Sequence, residues 1–189
     1  GAPDDGYLAN AVAIPEHADW ELRFPHQSYG DSWAVEGAVM ALHDFRARSG
    51  YEGPLRVWSM SRRYGGEIAS HHSHRTGRDL DIKLPLRADL PATLAVKPEW
   101  VDYEATWHLI AALADTARVQ EIFLDHTIAL EVELAAAQLG VPEARRRELL
   151  SAPRPRLSKA GLVRHIDGHT DHVHVRFECA PRAVYCTDR

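Results

Sequence analysis

The sequence predicts an α+β fold, a mostly antiparallel β-sheet flanked by helices, and three observations carry that expectation. Two short segments, Asp79-Leu80-Asp81-Ile82-Lys83-Leu84 and His172-Val173-His174-Val175-Arg176-Phe177, alternate strictly between polar and apolar residues, the period of strands with one buried face. Several longer stretches carry helix start and stop signals. Strands and helices are mixed without the regular alternation that builds a doubly wound parallel sheet. At 189 residues, against a prior of about 150 per domain, the chain is expected to form a single domain spanning residues 1–189.

The elements follow in order. Asp31 or Ser32 caps a helix reaching about residue 48, with Val35, Val39, Leu42 and Phe45 on one face and Gly50 past its end. After the Gly53-Pro54 turn, residues 55–60 read as a strand, and residues 61–77 as a polar loop carrying Gly65-Gly66 and three histidines. The first alternating strand comes next. Pro98 opens a helix to about residue 117, residues 119–124 form a strand, and residues 127–139 a helix stopped by Gly140. A short helix follows Pro142, and residues 151–159, with Pro153 and Pro155, make an extended connection before the closing strand at 172–177.

Composition removes several function classes. A hydrophobic share of 45% with 26% charged residues argues against disorder, a coiled coil or a collagen-like repeat. The 22 basic and 27 acidic residues leave a net charge of -5, so no overall field draws the chain onto nucleic acid or an anionic membrane. Asp115, Asp125, His126, Glu131 and Glu133 interrupt the apolar stretches well short of the roughly 18 to 20 residues of a membrane span, so no stable membrane insertion is expected. Cys179 and Cys186 are spaced for a small disulfide loop, which would suit an oxidising compartment; two free thiols are the alternative. Residues 1–5 lack a signal-peptide pattern.

Histidine is abundant, with 12 residues, and its placement points to chemistry. On the first alternating strand Asp79, Asp81 and Lys83 share one face; on the second, His172, His174 and Arg176 do. If the strands are neighbours, a carboxylate face and an imidazole face become one surface. His71, His72 and His74 stand just before the first strand, and the turn Arg75-Thr76-Gly77-Arg78 carries the chain back so that His74 and Asp81 can share an ion. Two histidines and one aspartate suit zinc and leave a fourth position open, as in hydrolytic sites. No Gly-x-Ser-x-Gly elbow or isolated cysteine offers a covalent nucleophile.

Gly65-Gly66, His71, the run Ser73-His74-Arg75-Thr76-Gly77-Arg78-Asp79-Leu80-Asp81-Ile82 and the later His169-Thr170-Asp171-His172-Val173-His174-Val175-Arg176 resemble the penicillin-insensitive murein endopeptidases. These belong to a wider group of zinc peptidases that includes D-Ala-D-Ala carboxypeptidases, dipeptidases and the hedgehog domain. The resemblance covers about 30 residues and leaves residues 85–155 without a confident match. It implies a hedgehog/DD-peptidase-like fold and His74, Asp81 and His174 as zinc ligands, with His71 as a further or alternate one. It also points to His172 as the acid–base group, with His169, which matches a family histidine, as its rival. Asp171 departs from the murein endopeptidases and stands where the carboxypeptidase relatives carry a glutamate base; it ranks third, since strand alternation aims it away from His174 unless a bulge re-aims it. Arg176 is a candidate to hold a substrate carboxylate, as are Arg63 and Tyr64 beside Arg62, and Asp79 is a candidate to orient an imidazole.

The implied function is zinc-dependent hydrolysis of peptidoglycan cross-links of the D-alanyl–diaminopimelyl type, in the periplasm or outside the cell. A D,D-carboxypeptidase or dipeptidase acting on D-Ala-D-Ala ends, or a zinc-containing wall-binding module without turnover, is the alternative.

Overall fold

The computed structural model describes residues 1–187. Its centre is a six-stranded sheet built from β2 (Trp20–Leu22), β4 (Leu55–Val57), β5 (Asp79–Lys83), β6 (Val119–Leu124), β7 (Val163–His165) and β8 (His172–Phe177), in the spatial order β2-β4-β5-β8-β6-β7. The three central pairings, β4 with β5, β5 with β8 and β8 with β6, are antiparallel; the outer pairings, β2 with β4 and β6 with β7, are parallel. The sheet is therefore mostly antiparallel at its core and mixed at its margins. A separate two-stranded ribbon joins β1 (Val12–Ala13) and β3 (Tyr29–Gly30).

Four α-helices complete the fold: α1 (Ser32–Ser49), α2 (Tyr103–Asp115), α3 (His126–Gln138) and α4 (Glu143–Leu149). Asp31 caps α1 by accepting the Ala34 N–H at 3.0 Å, and Gly50 ends it in the left-handed conformation. The helix expected from Pro98 is instead a 3-10 turn over Pro98–Trp100 followed by α2. The reason lies in Asp102, whose carboxylate accepts the Ala105 N–H at 2.9 Å and sets the start five residues later. Strand β4 is also shorter than residues 55–60: beyond it the Met60 and Ser61 N–H groups turn away to the Gln27 carbonyl.

Leu80 and Ile82 of β5 and Val173, Val175 and Phe177 of β8 are fully buried in one hydrophobic cluster with Leu42 and Phe45 of α1, Leu109, Ile110 and Leu113 of α2 and Ile128 and Val132 of α3. Phe177 lies so close to α1 that a side chain at Gly37 would touch its ring at 3.0 Å. The alternating strands thus turn one face to the helices, leaving the other for polar groups. Among the described residues no helix is long and apolar enough to cross a membrane.

Candidate active site

The register between the two central strands pairs Asp81 with His174, Asp79 with Arg176 and Lys83 with His172. A carboxylate-bearing strand and an imidazole-bearing strand are therefore direct neighbours on one face. The loop before β5 folds back over them: His74, in the left-handed backbone region at φ 68°, donates its N–H to Asp79 Oδ2 at 3.1 Å. The other Asp79 oxygen accepts from His174 Nε2 at 3.1 Å and from Arg176 Nε at 2.8 Å. Burial would raise the Asp79 pKa, but His174, Arg176 and His74 outweigh it and hold the carboxyl far below its ordinary range.

These contacts decide which nitrogens are free. His74 Nδ1 faces the Met60 carbonyl at 2.8 Å, and since a carbonyl only accepts, Nδ1 carries the proton. Its Nε2 then aims a lone pair at Asp81 Oδ1, 3.3 Å away. With Nε2 of His174 committed to Asp79, Nδ1 of His174 faces the same Asp81 oxygen at 3.1 Å. His74 Nε2 and Asp81 Oδ1 are both buried without a hydrogen-bond partner, a costly arrangement unless a cation sits between them. A tetrahedral ion with ligands at about 2.0 to 2.1 Å separates them by about 3.3 Å, so the residues present fit a zinc-type ion in spacing and in donor chemistry. Without one, a proton takes its place. Burial works against charging His174, yet the flanking Asp79 and Asp81 carboxylates outweigh it and push its pKa up to about 9. Asp81, whose burial alone would raise it, is held well below the carboxylate range by His74, His174 and His71.

A family model for penicillin-insensitive murein endopeptidases matches residues 1–189. The chain belongs to that family. A relative described as a penicillin-insensitive murein endopeptidase, from Yersinia enterocolitica serotype O:8 / biotype 1B (strain NCTC 13174 / 8081), is 28% identical over 197 residues, covering 98% of this chain and 67% of the relative.

In this murein endopeptidase family member the convergent donors open into a cavity of about 740 Å³. His71 reaches the second Asp81 oxygen, Nε2 to Oδ2 at 3.2 Å, and packs edge-on against His74 with ring centres 4.6 Å apart. The hydrogen bond to Asp81 raises the His71 pKa against the opposing effect of burial. His172 Nδ1 lies 2.6 Å from Asp171 Oδ1, and its Nε2 lies 3.7 Å from Asp81 Oδ1. Asp171, which precedes β8 and lines the same cavity as His174, grips the neighbouring imidazole. His169 packs 4.8 Å from the His172 ring and 5.6 Å from that of His174; burial and these two rings lower its pKa.

The candidate substrate groups divide. Arg176 lines the cavity, but its Nε is bound to Asp79, its Nη1 lies 3.5 Å from Glu121 Oε1, and its guanidinium sits 5.3 Å over the Phe123 ring. Arg62, Arg63 and Tyr64 do not line the cavity; Tyr64 is 75% exposed, with the Arg63 guanidinium over its ring. Cys179 and Cys186 form a disulfide, and the fully buried Arg78 donates to Cys179 Sγ and to the Phe177 carbonyl.

Sequence reasoning missed the apolar walls. Phe24 and Trp58 lie on the lining, as do Phe123 and Ile166. The Trp58 ring is 5.6 Å from that of His172, and its backbone N–H is tied to the Asp81 carbonyl at 2.8 Å. Its place inside the expected strand 55–60 was the available signal, but a lone aromatic there reads equally well as core.

Proposed function

We propose that the chain is a zinc-dependent endopeptidase that hydrolyses amide bonds in peptidoglycan peptide cross-links, of the D-alanyl–diaminopimelyl type. The observation that carries this reading is the convergence of His74 Nε2 and His174 Nδ1 on one buried Asp81 oxygen at 3.3 and 3.1 Å, at the base of a substrate-sized cavity. His74, Asp81 and His174 would hold the ion, with His71 at the other Asp81 oxygen as a further donor. When bound, zinc supplies Lewis-acid polarisation of the scissile carbonyl and brings the pKa of an attacking water towards about 7.

The chain's own groups supply the rest. Asp79 accepts the Nε2 proton of His174 and so keeps Nδ1 unprotonated and aimed inward. Asp171 fixes a proton on His172 Nδ1, leaving Nε2 facing the centre to take a proton from the attacking water and deliver it to the leaving amine. Asp171 is then a positioning residue acting through His172, and His169 is the second candidate for proton transfer. Phe24 and Trp58 exclude water beside the reacting groups. A disulfide and a wall substrate fit a periplasmic or secreted enzyme.

A carboxypeptidase reading needs a cation free to grip a terminal carboxylate. Among the described residues lining the cavity Arg176 is the sole arginine or lysine, and Asp79 and Glu121 already engage it, which favours the endopeptidase.

Mass spectrometry of a defined cross-linked muropeptide dimer tests the proposal. The expected result is conversion to monomers, abolished by chelation and restored by Zn2+. Undiminished cleavage after complete metal removal would overturn the zinc reading, and trimming of free D-Ala-D-Ala ends with the dimer left intact would overturn the endopeptidase reading.

A further inference from the structure

Two imidazoles and a carboxylate meet a second time, outside the catalytic cavity. His17 and Asp19 lie in the turn leading into β2, and His43 projects from the exposed side of α1; none of the three lines the cavity. Asp19 Oδ2 is 3.4 Å from His17 Nδ1 and 3.9 Å from His43 Nδ1, and one donor atom from each of the three residues lies within 4.8 Å of the others.

Hydrogen bonding does not account for this gathering. His17 Nδ1 accepts the Asp19 N–H at 3.1 Å, so it has no proton to offer the carboxylate, and the two acceptors simply face each other. His43 Nδ1 stands beyond hydrogen-bond reach of Oδ2. The other carboxylate oxygen, Oδ1, accepts from Arg46 Nε at 3.1 Å, which turns Oδ2 towards the imidazoles. The buried indole of Trp20, anchored by its Nε1 to the Pro15 carbonyl at 2.8 Å, stacks on His17 at 4.5 Å and meets the edge of His43 at 5.1 Å. The donors are therefore held on a rigid platform, with Asp19 Oδ2 3.4 and 3.9 Å from the two Nδ1 atoms, and an ion bound there takes over the His17 Nδ1 lone pair that now accepts the Asp19 N–H.

We infer that His17, Asp19 and His43 form a second, exchangeable site for a borderline divalent cation such as Zn2+, completed by water. Imidazole and carboxylate donors select that class of ion. The site is open to solvent, with side-chain exposures of 41%, 27% and 49%, and it carries the nearby charge of Arg46. It therefore binds more weakly than the buried centre and fills after it. An ion there ties the turn before β2 to α1, so its binding raises the thermal stability.

Calorimetric titration of the metal-stripped full chain with Zn2+ tests the site, alongside the His43→Ala variant and a dimer-cleavage assay. The parent is expected to take up two equivalents in two phases and His43→Ala one, with cleavage unchanged. Co2+ added to protein already holding one equivalent of Zn2+ should quench part of the tryptophan fluorescence through Trp20, and that quenching should vanish in His43→Ala. Equal stoichiometry in the two proteins overturns the inference. So does a second equivalent that survives in His43→Ala and is lost in His71→Ala, which would put the ion in the catalytic cavity instead.

Discussion

Asp79 ties the site together, since its two oxygens hold the His74 backbone, the His174 imidazole and the Arg176 guanidinium. Asp79→Asn keeps an acceptor but loses the charge that matches Arg176 and steadies His174. Zinc affinity, measured by chelator competition, should fall by about 10- to 100-fold with the fold retained; affinity equal to the parent would remove Asp79 from the positioning role. His172→Ala should bind zinc normally and lose about 10²- to 10⁴-fold in kcat, and an unchanged rate would transfer proton handling to His169. That Asp81 and His174 share a face was legible because strand alternation groups them, whereas His71 and His74 come from the loop before β5. The nitrogen each imidazole offers was not, for it depends on the Met60 carbonyl and Asp79, which the fold brings to His74 and His174 from a distance in sequence. Nor could alternation alone tell that Arg176 already has partners.

Elements with a period of their own were readable, although the Asp102 cap that starts α2 was not; those made by their neighbours were not. Strands β5 and β8 follow from their side-chain pattern. Strands β2 and β7 are three-residue edges stabilised by pairing with β4 and β6, too short to show a period of their own. The turn between His74 and β5 depends on Gly77, which holds φ 69°, where an added Cβ would lie 2.7 Å from Gly30 Cα. Gly77→Ala therefore meets both an unfavourable backbone conformation and the backbone of a neighbouring strand. It should lower stability by more than about 1 kcal/mol and weaken zinc binding by displacing His74, as read by denaturant unfolding and metal titration. Unfolding and affinity identical to the parent would mean the turn tolerates rearrangement.

For the whole molecule, the proposed ion and stability would be linked through the proton that His174 holds in the ion's absence. Its folded pKa of about 9 lies above the ordinary 6.5, so its contribution is complete below about pH 6.5 and disappears as pH rises to about 9. His71, raised by its hydrogen bond to Asp81, acts in the same direction. His169, lowered by burial and its histidine neighbours, opposes them only at pH values below its ordinary 6.5. The melting temperature of stripped protein should therefore drop between pH 6.5 and 9, with a stability loss of up to about 3 kcal/mol, while zinc-loaded protein stays flat; a flat profile in the stripped form would contradict the linkage. The pairing of β5 with β8 reaches further. A slip of one residue would turn His172, His174 and Arg176 into the apolar layer and Val173, Val175 and Phe177 out to water. Correct folding thus proofreads the chemistry: a molecule that reaches the compact state has its donors facing one another before any cation arrives.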